Sequence, residues 1–381
     1  MSSLLRDRPA STPEMLAVFG DEALLAAALA FEAQLALAQG ELGLIPQGDA
    51  EAIAAACAAP FDAAELAQAA AHAGTLAIPL VERLRARLAS SKAAALVHKG
   101  ATSQDVADTA LMLQARDGAA LIRRDAARLA NALATLTRAY RATPMLGRTL
   151  LQAALPITFG LKASIWLSGV TGALDRFERE AAAIRLQFGG ATGSRAGLNG
   201  QGAELSQRLA TRLDLPPALP WHAERQGLAG LASALAILIG AVAKIAADVA
   251  LMAQVEVGEA FEPRQAGRGG SSAMAHKRNP TGCQVALSAA IRAPHLAATI
   301  VSALPQQHER GLGGWQAEAP VLADLFQLAH GALGAMIVVI EGLEVDTGRM
   351  ADNLAAAQVG TDVGESQALV DQALTAYEKD R

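Results

Sequence analysis

Residues 227–243 read GLAGLASALAILIGAVA, an apolar run with no charged residue between Arg225 and Lys244. The run is slightly shorter than the roughly 20 residues that span a bilayer, and alanine, glycine and serine dilute its hydrophobicity. A helix that is apolar on every face can equally form the buried centre of a large bundle. Because a charged helical pattern continues on both sides, from Trp221 to Glu259, we favour a buried bundle helix over a membrane span.

The composition of the 381-residue chain favours the same kind of fold. Hydrophobic residues make up 52% of the chain but aromatic residues only 3%, so alanine and leucine supply most of the apolar surface. Alanine is the strongest helix former, because it loses no side-chain entropy in a helix. Small side chains also let helices approach closely, so the composition predicts a helical bundle.

Charge and cysteine content limit the partners and the compartment. The net charge of −5 gives no basic field for nucleic acid, although a local basic site can still hold a small anion. Cys57 and Cys283 lie far apart and form no CxxC pair, which argues against a structural zinc site or a disulfide framework. The N-terminal residues MSSLLRDRPASTPEM contain no apolar run typical of a signal peptide, so we expect a reducing, cytoplasmic location.

Helical periodicity predicts an all-α protein with no persistent strand alternation. Patterns in the first part of the chain predict a small N-terminal helical domain, residues 1–97, with elements at Pro13–Leu44, Asp49–Ala58, Asp62–Ala71 and Leu76–Ala89. Five patterns, most of them much longer than the usual ~11–12 residues, predict an elongated central five-helix bundle over residues 98–345. They run over Ser103–Tyr140, Gln152–Phe188, Trp221–Glu259, Pro280–Ala303 and Trp315–Glu344. Residues 346–381 would form a shortened C-terminal helical segment.

Such a bundle would expose large apolar faces as a monomer. Exposed patches of that size usually mark an interface, and identical chains usually associate with closed symmetry. We therefore expect a symmetric homo-oligomer of bundles packed side by side.

The unusual chemistry lies in the polar segments between the long helices. Loops held at the ends of rigid elements are common places for function. These segments are HKGATSQD (98–105), GRTLLQAALP (147–156), FGGATGSRAGLNGQG (188–202), EPRQAGRGGSSAMAHKRNP (262–280) and PQQHERGLGGW (305–315).

The glycine-rich part of residues 262–280 lacks the spacing of a Walker loop or of a dinucleotide-binding fingerprint. Its three glycines allow the backbone to approach a ligand closely. Ser271 lies beside these backbone donors and upstream of Lys277, and a serine becomes reactive only where cations and N–H donors stabilise its alkoxide. The alternative is a flexible surface loop with a basic tip and a helix start at Pro280. On the residues alone, both interpretations stand.

The segment HKGATSQD opens the longest predicted helix. Thr102 or Ser103 is a natural N-cap, with Asp105 completing a capping box, and a helix N-terminus is also a ready site for a carboxylate. Capping alone explains the two hydroxyl residues, but it leaves His98 unexplained, even though a lone histidine is more often structural than catalytic.

The remaining polar segments are weaker signals one by one. Arg148, Thr149 and Gln152 can be ordinary turn residues, and the run that contains Arg310 can be a solvated charge cluster. Together, five polar segments at the ends of long helices, several with groups suited to anions, indicate a site for a small molecule with several negative charges.

The motifs resemble those of the fumarase/aspartase superfamily. GSSAMAHKRNP is similar to its signature loop, HKGATSQDVADTA to its first shared region, and GRTLLQAALPITFG to its second, with the same order and spacing over nearly the whole chain. The stretches LQFGGATGS, PWHAERQ, PQQHERGLGGW and EGLEVDTGRM look most like the carboxymuconate-lactonising branch. The resemblance implies a homotetramer with a twenty-helix core, active sites assembled from three subunits, a small polycarboxylate substrate, and no metal or cofactor.

The resemblance also implies roles for individual residues. Ser271 would transfer the proton, while Lys277 and Asn279 would hold the substrate carboxylate on which negative charge develops. His98 or His276 would be the acid partner of Ser271. Further candidate substrate-binding residues, several of them contributed by other subunits, are Thr102, Ser103, Thr149, Gln152, Ser272, His276 and Arg310.

Three departures from the family pattern bear on function. Leu150 stands where adenylosuccinate lyases carry a histidine that protonates the leaving group, a contribution worth about 10²–10⁴-fold. A lactonising enzyme needs no such acid, because the oxygen that adds or leaves is a carboxylate. Ala275 replaces the usual proline after the signature methionine, which predicts a more flexible loop. Residues 346–381 would form only the beginning of the C-terminal domain found in relatives.

Two alternatives to the lactonising enzyme stay open. An adenylosuccinate-type or other fumarate-releasing lyase would share the same motifs. A non-catalytic helical bundle, like some crystallins of this superfamily, would share the fold alone.

Overall fold

The computed structural model describes residues 4–270, 274 and 277–379. Three candidate site residues, Ser271, Ser272 and His276, lie outside the described residues, as does Ala275. Within its described residues, the first part of the chain forms six α-helices, which are α1 Leu4–Asp7, α2 Pro13–Val18, α3 Asp21–Glu41, α4 Gln47–Ala58, α5 Ala63–Ala73 and α6 Ala77–Arg87. The predicted helix from Pro13 to Leu44 is thus two helices, because the chain turns at Gly20 between them.

The centre of the protein is a bundle of five long helices, as predicted. They are α7 Ser103–Ala139, α8 Phe159–Ala181, α10 Gln226–Met252, α11 Thr281–Ser302 and α12 Gly314–Glu341, with the shorter α9 Gly202–Leu213 between α8 and α10. Helix α7 packs against α8 and α12, α10 packs against α8, α11 and α12, and α11 packs against α12. With 37 residues, α7 is about 55 Å long. The prediction of a mostly helical protein is confirmed, whereas the boundaries after residues 97 and 345 stay predictions.

A β-hairpin replaces the start of the predicted helix Gln152–Phe188. Strand β1 Pro144–Thr149 pairs antiparallel with β2 Gln152–Thr158, and helix begins only at Phe159. Pro156 lacks an N–H and would interrupt a helix at this point, and the β-branched Ile157 and Thr158 favour an extended backbone. The predicted helix start at Gln152 was therefore wrong. A second antiparallel pair joins β3 Ala260–Phe261 to β4 Glu344–Val345.

One helix and one helix start differ from the sequence prediction. Helix α9 was not predicted, because a glycine-rich segment precedes it. The pattern from Trp221 to Glu259 begins as helix only at Gln226, since Trp221 and His222 are buried and bonded to other segments. The last helices are α13 Thr347–Ala357 and α14 Ser366–Lys379. Helix α13 packs on β1 and α14 packs on α8, so the C-terminal segment covers one side of the hairpin.

Among the described residues, four helices, α3, α10, α11 and α12, are long and apolar enough to cross a membrane by length and composition. In α10 and α12, 61% and 67% of the apolar window is buried inside the protein. The apolar run 227–243 thus forms the buried bundle helix that the sequence favours. Cys57 and Cys283 are both free and buried.

A buried ion network ties three of the long helices together. Arg225, which is 2% exposed, donates two hydrogen bonds of 2.8 and 2.9 Å to Asp108 of α7. The same guanidinium binds both carboxylate oxygens of Glu318 in α12. Burial raises the pKa of Glu318 above its usual value, against the opposing effect of Arg225. The cation at the start of α10 therefore compensates two buried carboxylates at once.

Candidate active site

Asp105 organises the N-terminus of α7. Thr102 donates its backbone N–H to Asp105 Oδ2 at 3.0 Å, which completes the predicted capping box. The fully buried carboxylate of Asp105 also accepts the backbone N–H groups of Gly189 and Gly190, both at 2.9 Å, and lies 2.8 Å from His222 Nε2. One capping residue thus fixes the start of α7 against the glycine-rich segment 188–202.

Arg310 joins this helix N-terminus from the segment before α12. Its Nη1 donates to Thr102 Oγ1, and its Nη2 donates to Ser103 Oγ at 3.1 Å. Its Nε is buried and has no hydrogen-bond partner among the described residues. We call Thr102, Ser103 and Arg310 the α7 cluster. The alternative that Arg310 belongs to a solvated charge run is therefore wrong. A guanidinium, two hydroxyls and a helix N-terminus together suit a carboxylate.

His98 lies just before this cluster and is paired with Glu32 of α3. His98 Nδ1 lies 2.5 Å from Glu32 Oε1, and the two side chains are 16% and 1% exposed. The other carboxylate oxygen, Glu32 Oε2, is buried without a hydrogen-bond partner among the described residues. A buried unpaired acceptor costs stability, and such groups are tolerated mainly where they serve a function.

The pairing with Glu32 controls the charge of His98. Burial by itself would lower the pKa of His98. The hydrogen bond to Glu32 and the negative charges of Glu32 and Asp105 outweigh burial and a smaller opposing effect of Arg85, so the pKa is raised. The imidazole is therefore held toward its protonated form, in which it can stabilise an anion or deliver a proton.

Sequence reasoning missed Glu32. It lies 66 residues before His98 in the chain and belongs to the segment assigned to a separate N-terminal domain. The available signal was the only charged residue within the largely apolar stretch ALAFEAQLALA. A charge on the buried face of a helix is rarely tolerated unless it is paired.

Thr149 and Gln152 flank the tip of the β1–β2 hairpin, where both are exposed. The turn between them consists of Leu150 and Leu151, which adopt left-handed backbone conformations with φ of +51° and +64°. Leucine seldom adopts this conformation, and strained backbone of this kind is typical of functional segments. Leu150 is 96% exposed, so the turn presents an apolar side chain at the position where adenylosuccinate lyases carry a histidine.

Arg148 anchors this hairpin to the body of the protein. It donates hydrogen bonds of 2.9 and 2.8 Å to the two carboxylate oxygens of Glu259, which is fully buried. Asn353 of α13 donates to Glu259 Oε1 at 2.8 Å. One buried carboxylate therefore connects the hairpin with the C-terminal segment.

The signature loop is taken here as residues 267–280, which include the motif GSSAMAHKRNP, and Asn279 closes its base. Its backbone N–H donates to Gly269 O at 2.8 Å, and its side-chain amide donates to Gly270 O at 3.2 Å. Gly269 has φ of +71°, and a Cβ there would lie 2.7 Å from Asn279 O, so only glycine fits. Lys277 is exposed beside this base.

The candidate residues thus occupy three places in one chain. Hydrogen bonds bring Thr102, Ser103 and Arg310 together at the start of α7, with His98 nearby in sequence. Thr149 and Gln152 lie on the hairpin tip, and Lys277 and Asn279 lie on the signature loop. At the last two places, the side chains of Thr149, Gln152 and Lys277 are exposed.

Comparison with known proteins gives consistent matches. A family model described as a lyase matches residues 8–294. The chain is 48% identical over 349 residues to a 3-carboxy-cis,cis-muconate cycloisomerase of Bradyrhizobium diazoefficiens, covering 90% of this chain and 77% of that protein. It is 43% identical over 365 residues to a nitrosuccinate lyase of Streptomyces davaonensis, covering 93% and 77%. The crystal structure of the 3-carboxy-cis,cis-muconate lactonizing enzyme from Pseudomonas putida superposes with a TM-score of 0.88 at 40% identity, covering 100% of this chain and 89% of that one.

Proposed function

Because the chain belongs to the lyase family of the fumarase/aspartase superfamily, we propose that it is a cofactor-independent 3-carboxy-cis,cis-muconate cycloisomerase. The reaction closes the substrate to 4-carboxymuconolactone, a step in the degradation of aromatic acids. The observation that carries the proposal beyond the family is the turn at Leu150. This turn presents an exposed apolar side chain between two polar candidates, where a lyase that expels an amine needs a proton donor.

The atoms and electrons of the proposed lactonisation balance without a cofactor. One substrate carboxylate adds to the carbon β to a second carboxylate, so a C–O bond forms and the alkene π electrons move into that second carboxylate as an enediolate. A proton then adds to the α carbon, and one proton is taken up overall. Holding the internal nucleophile near the alkene lowers the entropic part of the barrier.

Stabilisation of the enediolate is the main task of the protein. Preorganised donors aimed at developing charge usually make the largest contribution to catalysis. We assign this task to Lys277 and Asn279, and proton delivery to Ser271. The α7 cluster of Thr102, Ser103 and Arg310 binds another carboxylate of the substrate.

We propose that the working form is a cytoplasmic homotetramer with sites shared between subunits. Large apolar side chains are exposed on helices of the bundle, among them Ile165 at 57% on α8 and Ile291 at 72% on α11. Only 28% of the apolar window of α11 is buried within one chain. Faces of this kind favour association, and association would bring the hairpin and the signature loop of different chains to one α7 cluster.

A substrate panel tests the proposed reaction. The purified protein should consume 3-carboxy-cis,cis-muconate, followed as loss of its ultraviolet absorbance, and leave nitrosuccinate and adenylosuccinate unchanged. Activity on nitrosuccinate alone would favour the second candidate function, which the 43% identical lyase supports. Failure with every substrate would favour a non-catalytic relative.

The Glu32–His98 pair predicts a pH effect. The raised pKa of His98 means that the protonated form is lost as the pH rises through that pKa. A Glu32→Gln variant keeps the burial but loses the negative charge, so the pKa of His98 should fall. The alkaline limb of the kcat/KM profile, measured between about pH 5 and 9, should therefore move to lower pH. An unchanged alkaline limb would exclude His98 as the group whose protonation sets it.

A further inference from the structure

The geometry points to Glu262 as a positioning residue that holds the two described ends of the signature loop together and so places Lys277 and Asn279. This inference rests on the proposed function, because that function assigns the two loop residues to the substrate. Glu262 itself lies on the segment before the loop, just after strand β3, and its side chain is 8% exposed.

Glu262 caps the helix that follows the loop. Its Oε2 accepts the backbone N–H of Gly282 at 3.0 Å, and its Oε1 accepts that of Cys283 at 2.8 Å. Helix α11 starts after Pro280, whose side chain cannot accept a hydrogen bond. The carboxylate of Glu262, 20 residues before Gly282, therefore replaces the side chain of an N-cap residue for α11 and also lies at the positive end of the helix dipole.

Two arginines near the two ends of the loop, Arg268 and Arg278, contact the same residue. Arg268 Nη2 lies 3.7 Å from Glu262 Oε2, and Arg268 Nε donates to Thr281 Oγ1 at 3.3 Å. Arg278 Nη2 donates to the backbone oxygen of Glu262 at 2.6 Å and lies 3.0 Å from Glu344. Contacts from both ends of the loop thus converge on one buried residue, which acts through Lys277 and Asn279 without being required to touch the substrate.

The packing around this junction leaves little room for adjustment. A Cβ at Gly282 would collide with the Arg268 guanidinium and lie 2.6 Å from Val339 Cγ2. The two residues of strand β3, Ala260 and Phe261, separate Glu262 from Glu259, which holds the hairpin through Arg148. Strand β3 is therefore flanked by two buried carboxylates, of which Glu259 holds the hairpin and Glu262 holds the signature loop.

Replacement of Glu262 by alanine tests the role in catalysis. With Lys277 and Asn279 no longer held in place, kcat should fall by about 100-fold, as for misplacement of reacting groups by about 1 Å, while KM changes less. Glu262→Gln retains one acceptor oxygen and should recover part of the lost kcat. The matched control is Asp62→Ala, because Asp62 likewise accepts two backbone N–H groups, of Ala64 and Glu65, at the start of α5. The control should lower stability without lowering kcat.

A second readout does not depend on turnover. Amide hydrogen exchange at Gly282 and Cys283 should accelerate in Glu262→Ala and remain normal in Asp62→Ala, which should instead accelerate exchange in α5. Unchanged exchange at Gly282 and Cys283, or kcat within about twofold of the wild type, would overturn the inference. If the wild type fails to turn over carboxymuconate, the proposed function fails, and exchange alone then decides whether Glu262 holds the loop.

Discussion

A Ser271→Ala variant should lose about 10²–10⁴-fold in kcat with carboxymuconate, the range expected when a group that transfers a proton is removed. The hydroxyl is the proposed source of the proton for the α carbon of the enediolate, and alanine offers no proton there. KM should change little, because Lys277, Asn279 and the α7 cluster still bind the carboxylates. Steady-state kinetics from the ultraviolet assay measure both constants.

The matched control for this variant is Ser90→Ala, an exposed serine just after α6 that lies outside the proposed site. It should retain wild-type kinetics. Near-normal turnover by Ser271→Ala would remove the proton-transfer role from this residue and direct attention to His98.

An Arg225→Met variant should lose about 3–5 kcal/mol of unfolding free energy, because it leaves two buried carboxylates without their cation. Asp108 and Glu318 are 2% and 1% exposed, so water cannot replace the guanidinium that binds both of them. Chemical denaturation at a fixed protein concentration measures the loss, since association contributes to apparent stability. Part of the loss should be recovered at lower pH, where the stranded carboxylates become protonated.

Arg212→Met is the matched control for this second variant. Arg212 also binds a carboxylate, that of Glu41, but the two side chains are 29% and 37% exposed. Exposed ion pairs contribute about 0–1 kcal/mol. Equal losses in the two variants would show that the buried network is no more important to stability than a surface pair.

The sequence predicted the parts of this protein that local pattern controls. The start of α7 at Ser103 followed from a capping box within four residues, and the apolar run 227–243 was recognised as bundle core. The hairpin at Gln152 was missed because its signals, Pro156 and two β-branched residues, lie at the end of a stretch that also fits helical periodicity. Secondary structure there is decided by pairing with β1, which lies outside any local window.

The site could be predicted only for residues that lie within recognisable motifs. Glu32, Glu259 and Glu262 belong to none of the motifs recognised in the sequence, and their importance comes from partners up to 111 residues away. The neighbouring residues do not distinguish Glu259 and Glu262 from solvated glutamates, and Glu32 differs only by its largely apolar surroundings. Only the folded chain shows that the three carboxylates are buried beside an imidazole, a guanidinium or a helix N-terminus. Long-range electrostatic partners are therefore what sequence reasoning systematically lacks here.

The shared carboxylate of Glu259 limits which C-terminal segments can be combined with this hairpin. Asn353 in the C-terminal segment and Arg148 in the hairpin both bind the carboxylate of Glu259, although they lie in different parts of the chain. A chimera with the C-terminal segment of a relative would need a hydrogen-bond donor at position 353 that can bind Glu259 beside Arg148. A substitution of Asn353 should therefore weaken the anchoring of the hairpin as well as that of the C-terminal segment, because both use the carboxylate of Glu259.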